Sequence, residues 1–367
     1  MNPEDNYRKK LMMASNNYQT ILNTEQFGYN FQYVRNTLQL NRGPRIGNND
    51  SVGDPVFSEV GYFAGIAQTD WSWTPLVADF NNDGFRDVII TNGFPKDVTD
   101  HDFIAFRRES GAYVSKKQLL EQIPVVKIPN YAYANNGNLQ FRNVTQAWGL
   151  TEPTFSNGAV YADLDNDGDM DLIVNNINNE AGIYRNTLRD NVKKAQDSLH
   201  YLNVVCKGES PNINGIGALF YIHYNGGQQQ FYENTPYRGY LSTLQNIAHF
   251  GMGKTTTTDS VVVIWPGGKK QTLWNVPADQ TLTVNIKDTN EQFEWNRPMI
   301  DSTSLFTDVT RRSGIHYLHE ERDYIDFNVQ KLLPHKLSEY GPSIAVGDID
   351  HNGLDDFITG GAAFHSA

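Results

Sequence analysis

The sequence predicts a mostly β protein assembled from a repeated strand–loop–strand unit, with short helical inserts. Three observations predict it. One acidic pattern occurs as Asp79-Phe-Asn-Asn-Asp-Gly-Phe-Arg-Asp87, Asp163-Leu-Asp-Asn-Asp-Gly-Asp-Met-Asp171 and Asp348-Ile-Asp-His-Asn-Gly-Leu-Asp-Asp356. Short β-branched runs flank each copy, such as Val-Ile-Ile after Asp87 and Leu-Ile-Val after Asp171, and such runs bounded by Gly and Asn read as strands. Related lead-ins begin at Phe57, Phe141 and Phe306, which stand 22, 22 and 42 residues before the first Asp of their loops.

Each loop places oxygen-bearing side chains at positions 1, 3, 5 and 9, with Gly at position 6. Crowded hard oxygens around a tight turn suit Ca²⁺, which takes such ligands at about 2.3–2.6 Å. Without a cation the carboxylates would repel, and some would be driven to protonate. The first loop offers Asp79, Asn81, Asp83 and Asp87; the second Asp163, Asp165, Asp167 and Asp171; the third Asp348, Asp350, Asn352 and Asp356. Position 7, held by Phe85, Asp169 and Leu354, is expected to add its backbone carbonyl. Glycine lets the chain turn where a Cβ would clash. The second loop carries the most negative ligand set, so it is expected to bind most tightly.

An EF-hand opens with the same spacing but needs a Glu at position 12 and helices on both sides. Position 12 here is Ile90, Val174 and Thr359, and the flanks are strand-like. The EF-hand is therefore excluded, and each loop joins two strands.

Between these units, residues 5–24 and about 101–123 read as polar helices, the second ending before Pro124 and forming an insert. A unit repeated with inserts of unequal length fits the small radial sheets of a β-propeller better than a solenoid. Net charge is −12, and the loops alone hold 12 Asp residues. No Lys/Arg stripe offers a footprint for nucleic acid. Cys206 is the single cysteine and sits in an apolar strand, so an inert core thiol is expected.

The units resemble FG-GAP/VCBS repeats, the calcium-bearing blades of integrin-type β-propellers. Residues 199–287 resemble the ASPIC/UnbV domain through Asn214-Gly-Ile-Gly-Ala218, Tyr237-Arg-Gly-Tyr-Leu-Ser242, His249-Phe-Gly-Met-Gly253 and Val261-Val-Val-Ile-Trp-Pro-Gly-Gly268. The combination is similar to the cartilage acidic protein family and to large bacterial surface proteins of this build. The resemblance implies a secreted or cell-surface setting and establishes no catalysis. Three regions are expected: a partial propeller over 1–190, a compact β domain over 199–287, and a further unit over 303–367.

Read from its residues alone, the 199–287 region still alternates like paired strands between Asn-Gly-Gly and Pro-Gly-Gly turns. Trp265 beside such a turn could stack on a sugar or plug the sheet. Tyr237, Arg238 and Tyr240 could line a binding face or cap a strand edge. His316, His319 and Glu320 form a lone His–carboxylate cluster, but the Gly314–His319 run alternates like a strand and points the imidazoles apart.

No nucleophile elbow, P-loop, dinucleotide fingerprint or cysteine pair is present. The expected function is a non-enzymatic, calcium-binding recognition or adhesion module with a protein or glycan ligand. Its alternatives are part of a secreted polysaccharide hydrolase or lyase, or a structural stalk. No stretch reaches the length of a membrane span. The N-terminus lacks a secretory signal and the third unit is followed by 11 residues, so the chain is expected to be a fragment of an extracellular protein.

Overall fold

A computed structural model describes residues 2–12, 18–30, 33–46, 52–190, 199–294, 306–320, 324–331, 333, 338, 341 and 343–361. The chain divides into one unit of residues 1–45 with 52–298 and a second of 46–51 with 299–367. It is mostly β.

The first unit opens with α1 (Asn6–Met12) and α2 (Tyr18–Phe27), then the hairpin β1 (Gln39–Ile46) and β2 (Val52–Glu59) and the short α3 (Gly61–Ala64). Of the helical stretch read over 5–24, residues 6–12 and 18–24 are helical and residues 13–17 lie outside the described residues. Arg8 on α1 pairs with the buried carboxylates of Asp70 and, at 3.1 Å, Asp97.

A four-stranded sheet follows in the order β3 (Ser72–Ala78), β4 (Asp87–Asn92), β5 (Tyr131–Asn135) and β6 (Phe141–Asn143). Between β4 and β5 run α4 (His101–Ser110) and α5 (Lys116–Glu121), so the insert read over 101–123 is two helices. Each begins at its own cap: Asp100 accepts from the Phe103 N–H, and Ser115 with Gln118 makes a capping box. A second sheet follows, β7 (Ser156–Ala162), β8 (Asp171–Asn176) and β9 (Gly182–Tyr184).

These two sheets pack face to face. Leu76, Ile89 and Ala132 of the first meet Ala159, Leu172 and Val174 of the second in one core. Because side chains alternate along a strand, Val88 and Ile90 of β4 point the other way, into a core with Ala64, Ile66 and Tyr133. That explains why all six residues of β4 are buried. Among the described residues the two sheets do not close into a ring.

The 199–287 region is a sandwich. One sheet orders β13 (Ala248–Gly253), β10 (His200–Lys207) and β16 (Gln280–Asn285), with β10 and β16 parallel. The other orders β12 (Gln228–Glu233), β11 (Leu219–Tyr224), β14 (Ser260–Ile264), β15 (Lys269–Trp274) and β17 (Glu291–Gln292). Leu202, Val204, Phe250 and Val284 from the first interdigitate with Phe220, Ile222, Val261 and Val263 from the second. Cys206 lies in this core, where burial pushes its thiol up to about 12. It is an inert thiol, as its apolar strand implied.

Among its described residues the second unit contains one hairpin, β18 (Ile344–Gly347) and β19 (Asp356–Thr359). The Gly314–His319 run is extended or turned and joins no ladder, against the strand reading. Tyr317 instead donates its hydroxyl to the Gly360 carbonyl at 3.0 Å and lies 3.2 Å from His319 Nδ1.

Phe220 is fully buried between the sandwich sheets. Phe220→Ala is expected to destabilise the protein by about 3–5 kcal/mol, read from chemical denaturation, because the core cannot close over so large a void.

Candidate metal loops and their docking

The three acidic loops fold alike, each at the tip of an antiparallel hairpin. Ala78 pairs with Asp87, Ala162 with Asp171, and Gly347 with Asp356. The first Asp of each loop accepts two backbone N–H groups, from positions 5 and 6. For Asp79 these are Asp83 at 3.1 Å and Gly84 at 2.7 Å. Asp163 takes Asp167 at 3.1 Å and Gly168 at 3.0 Å, and Asp348 takes Asn352 at 3.0 Å and Gly353 at 2.9 Å. Position 5 accepts the N–H of position 7 in all three, at 2.8, 3.1 and 2.8 Å. Position 9 reaches back to the N–H of position 2, at 3.1, 2.8 and 3.0 Å.

The backbone makes this weave possible at two points. Gly84, Gly168 and Gly353 have φ of 95°, 91° and 86°, which glycine adopts without strain. Position 4 is also left-handed, with φ of 55° at Asn82, 60° at Asn166 and 63° at His351. Sequence reasoning assigned that position no role. Its signal is the recurrence of Asn, which tolerates this region better than most residues.

The weave turns carboxylates inward. One oxygen each of Asp163, Asp165 and Asp167 lie within 4.8 Å of one another, as do those of Asp348, Asp350 and Asp356. In the first loop, Asn81 replaces the middle carboxylate and its amide donates to Asp83 at 2.9 Å. Asp171 stands apart from the converged set of its loop. Its oxygens accept the N–H groups of Leu164 at 2.8 Å and Asn186 at 2.7 Å. Asp87 is held likewise by Phe80 at 3.1 Å and Asn135 at 2.9 Å. Phe85 and Leu354 have exposed side chains, whereas that of Asp169 is buried. Asp169 accepts from the Arg189 N–H at 3.2 Å through one oxygen and leaves the other without a hydrogen bond.

Burial pushes the Asp79 carboxyl well above its ordinary value, and neighbouring Asp83 adds to the shift. Burial also raises Asp163 and pushes Asp87 and Asp169 each up to about 7. A divalent cation would reverse this, since it favours the ionised form. The donor set, all oxygen and mostly carboxylate, fits a hard cation of the Ca²⁺ class.

Two of the loops are wedged beneath the sandwich. Asn82 is fully buried and bonds through its side-chain amide, its side-chain oxygen and its backbone carbonyl. Its amide donates to the Gly168 carbonyl of the second loop at 3.0 Å, and its carbonyl accepts from Gly253 at 2.9 Å. Its side-chain oxygen lies 2.8 Å from His249 Nε2, while His249 Nδ1 lies 2.8 Å from the Asn203 side-chain oxygen; a neutral ring donates to one of the two. Burial pushes His249 down to about 4, so the ring is neutral at pH 7. Asp79 packs so closely on Gly251 that a Cβ there would overlap its carboxylate. Gly168 likewise lies flat against the Tyr201 ring, and Gly84 would place a Cβ 3.1 Å from the Tyr224 hydroxyl. In the first two loops the position 6 glycine therefore serves close approach as well as the turn, whereas Gly353 faces open space.

Trp265 is 2% exposed inside the sandwich, which excludes it from stacking on a ligand; it plugs the core. Arg238 donates through one terminal nitrogen to the Glu233 carbonyl at 2.8 Å and lies 4.7 Å over the Tyr232 ring. Tyr240 packs against Trp73, with ring centroids 4.9 Å apart. Of the proposed face Tyr237 stands open, at 72% exposure, and Tyr240 is 37% exposed. Elsewhere in this unit, clefts of about 420 and 530 Å³ lie beside Trp148 and beside Tyr131, and no carboxylate lines either.

Two family profiles match this chain. Residues 208–291 match ASPIC and UnbV, and residues 125–174 match an FG-GAP-like repeat. The chain thus carries both named domains, one spanning most of the sandwich and the other running from β5 through the second acidic loop to β8. No curated protein matches the chain.

Gly251→Ala is expected to force Asp79 aside, weakening cation binding at the first loop by about tenfold or more in calorimetric titration. Gly347→Ala, which meets open space with an ordinary backbone, is the neutral control. A pH dependence follows from the raised carboxyls. Asp87, at about 7 in the fold against an ordinary 3.8, contributes metal-free stability fully present below about pH 4 and lost as pH rises through about 7. A divalent cation at this corner would favour the ionised form, so any melting-temperature gap between calcium-treated and chelated protein should widen from pH 5 to pH 8.

Proposed function

We propose that this chain is a non-enzymatic, calcium-stabilised recognition module of an extracellular or cell-surface protein. Its two stacked sheets are read as blades of a β-propeller, because both carry the same hairpin register and the same loop at the same corner. The third loop belongs to a further unit of the same kind. Ca²⁺ would be held by Asp79, Asn81, Asp83, the Phe85 carbonyl and Asp87 in the first loop. In the second it would be held by Asp163, Asp165, Asp167, the Asp169 carbonyl and Asp171. Asp348, Asp350, Asn352, the Leu354 carbonyl and Asp356 would serve the third.

The observation that carries this reading is one hydrogen-bond weave that recurs in all three loops and, in the second and third, brings three carboxylates to a common point. Neutralising that point with a cation converts binding free energy into folding free energy. Because the first two loops support the ASPIC/UnbV-like sandwich through Asn82 and Gly168, the same ions would fix its seat on the blades. The sandwich then presents Tyr237 and Leu241, both largely exposed, as part of a contact surface for a protein or glycan.

The alternative of a polysaccharide hydrolase or lyase needs a pair of carboxylates free of metal and facing a cleft. The two roomiest clefts described above lack that pair, which favours recognition over catalysis. Loops of this kind suit the millimolar calcium found outside cells.

Chelation tests the proposal. At calcium about a hundredfold above its dissociation constant, each site adds about 2.7 kcal/mol. Two sites in the first unit should therefore raise its melting temperature by about 10 °C in scanning calorimetry, an increase that calcium restores after chelation and equimolar magnesium does not. A melting curve indifferent to chelator would remove the reading. A glycan array and a protein pull-down with the calcium-loaded chain then distinguish the two ligand classes.

A further inference from the structure

Position 8 of the acidic loops is filled by Arg86, Met170 and Asp355, so the basic side chain belongs to the first loop alone. Arg86 reaches out of its corner to the sandwich, where one terminal nitrogen donates to the Phe231 carbonyl. Arg238, just beyond the end of β12, donates to the Glu233 carbonyl at 2.8 Å. Phe231 and Glu233 stand two apart on β12, the outermost strand of its sheet, so both carbonyls point to the same side. Between these contacts stands Tyr232. Its ring centroid lies 5.5 Å from the Arg86 guanidinium carbon and 4.7 Å from that of Arg238. The residue is 6% exposed, and its ring is held by Phe250 and Phe220 at centroid distances of 5.9 and 6.4 Å. Both cations therefore rest on a fixed platform.

Among the described residues no Asp or Glu forms an ion pair with Arg86 or Arg238, in a chain whose net charge is −12. A guanidinium carries five N–H donors, and the hydrogen bonds above use one from each. Nε of Arg238 is shut off from solvent and has no acceptor. Both side chains are half-buried, where an uncompensated charge is costly, and two like charges over one ring repel. Cation–π attraction to Tyr232 offsets part of this. An anion seated between the guanidiniums would remove the remainder.

We propose that Arg86 and Arg238 form a binding site for an oxyanion of the carboxylate or sulfate class, at the seam between the first acidic loop and the sandwich. The anion accepts N–H groups from both guanidiniums, whose planar forks match paired oxygens in either class. The site goes beyond the calcium reading and does not rest on it, because neither guanidinium is paired with a loop carboxylate.

Calorimetric titration of the full chain with sodium sulfate, and separately with sodium glucuronate, tests this at an ionic strength held constant with chloride. Saturable one-to-one binding at a dissociation constant of about 1 mM or tighter is expected for at least one of them. Sulfate alone assigns the tetrahedral dianion, glucuronate alone the carboxylate, and binding of both a site open to either. Arg238→Gln should weaken binding about tenfold or more, whereas Lys269→Gln, at an exposed position of β15, leaves it unchanged. A second readout needs no variant: the Arg238 Nε–H signal in a nitrogen-15 spectrum should move along the same binding curve. The proposal is overturned by absence of saturation at about 10 mM of either anion, or by full binding in Arg238→Gln. An Arg238 signal that stays in place while heat is released overturns it too. A melting curve indifferent to chelator would leave this result untouched.

Discussion

Crowding of carboxylate oxygens at a hairpin corner is the constraint on which the rest of the molecule depends. Each corner needs acceptors for its own backbone N–H groups, because a turn this tight leaves them outside any ladder. Asp at positions 1, 5 and 9 supplies those acceptors in the second loop. Burial then raises the Asp163 and Asp169 carboxyls of that loop, and the neighbouring Asp167 carboxylate adds to both shifts. The backbone weave and the electrostatic strain are two consequences of one arrangement. A divalent cation relieves the second without disturbing the first, because each carboxylate oxygen keeps a further lone pair.

That arrangement reaches beyond the hairpins. The first loop contributes the buried Asp79 and Asn82 to a seam with β13 and β10, where the two ring nitrogens of His249 lie 2.8 Å from the side-chain oxygens of Asn82 and Asn203. The second loop lays Gly168 on Tyr201, and Arg189, which caps Asp169, reaches Asp279 at 3.1 Å and lies 5.2 Å over the same ring. Charge balance at the loops and seating of the sandwich thus share the same atoms. A buried polar seam of this kind is costly when half-satisfied and specific when complete, which ties the register of the sandwich to the geometry of the corners.

Much of this was legible in the residues. The period-two strands, the strand–loop–strand unit and the rejection of the EF-hand came from spacing alone, and Cys206 read correctly from its apolar neighbours. Other features were not legible. Trp265 offered two readings at the sequence level because a turn beside Trp says nothing about which side of the sheet is covered. The roles of Asn82, His249 and Gly251 depend on contacts between residues more than 160 positions apart, and no local pattern encodes them. The corner residues Asn135 and Asn186 were overlooked although Tyr-x-Asn recurs, since their partners Asp87 and Asp171 had already been given to the cation. Burial was the missing term in each case.

Diffraction from crystals grown with calcium, recorded with an anomalous map, bears most directly on the central claim. The account predicts a peak inside each of the 79–87, 163–171 and 348–356 corners, about 2.3–2.6 Å from the inward carboxylate oxygens. Corners filled by water alone at millimolar calcium, with the backbone weave unchanged, would contradict it.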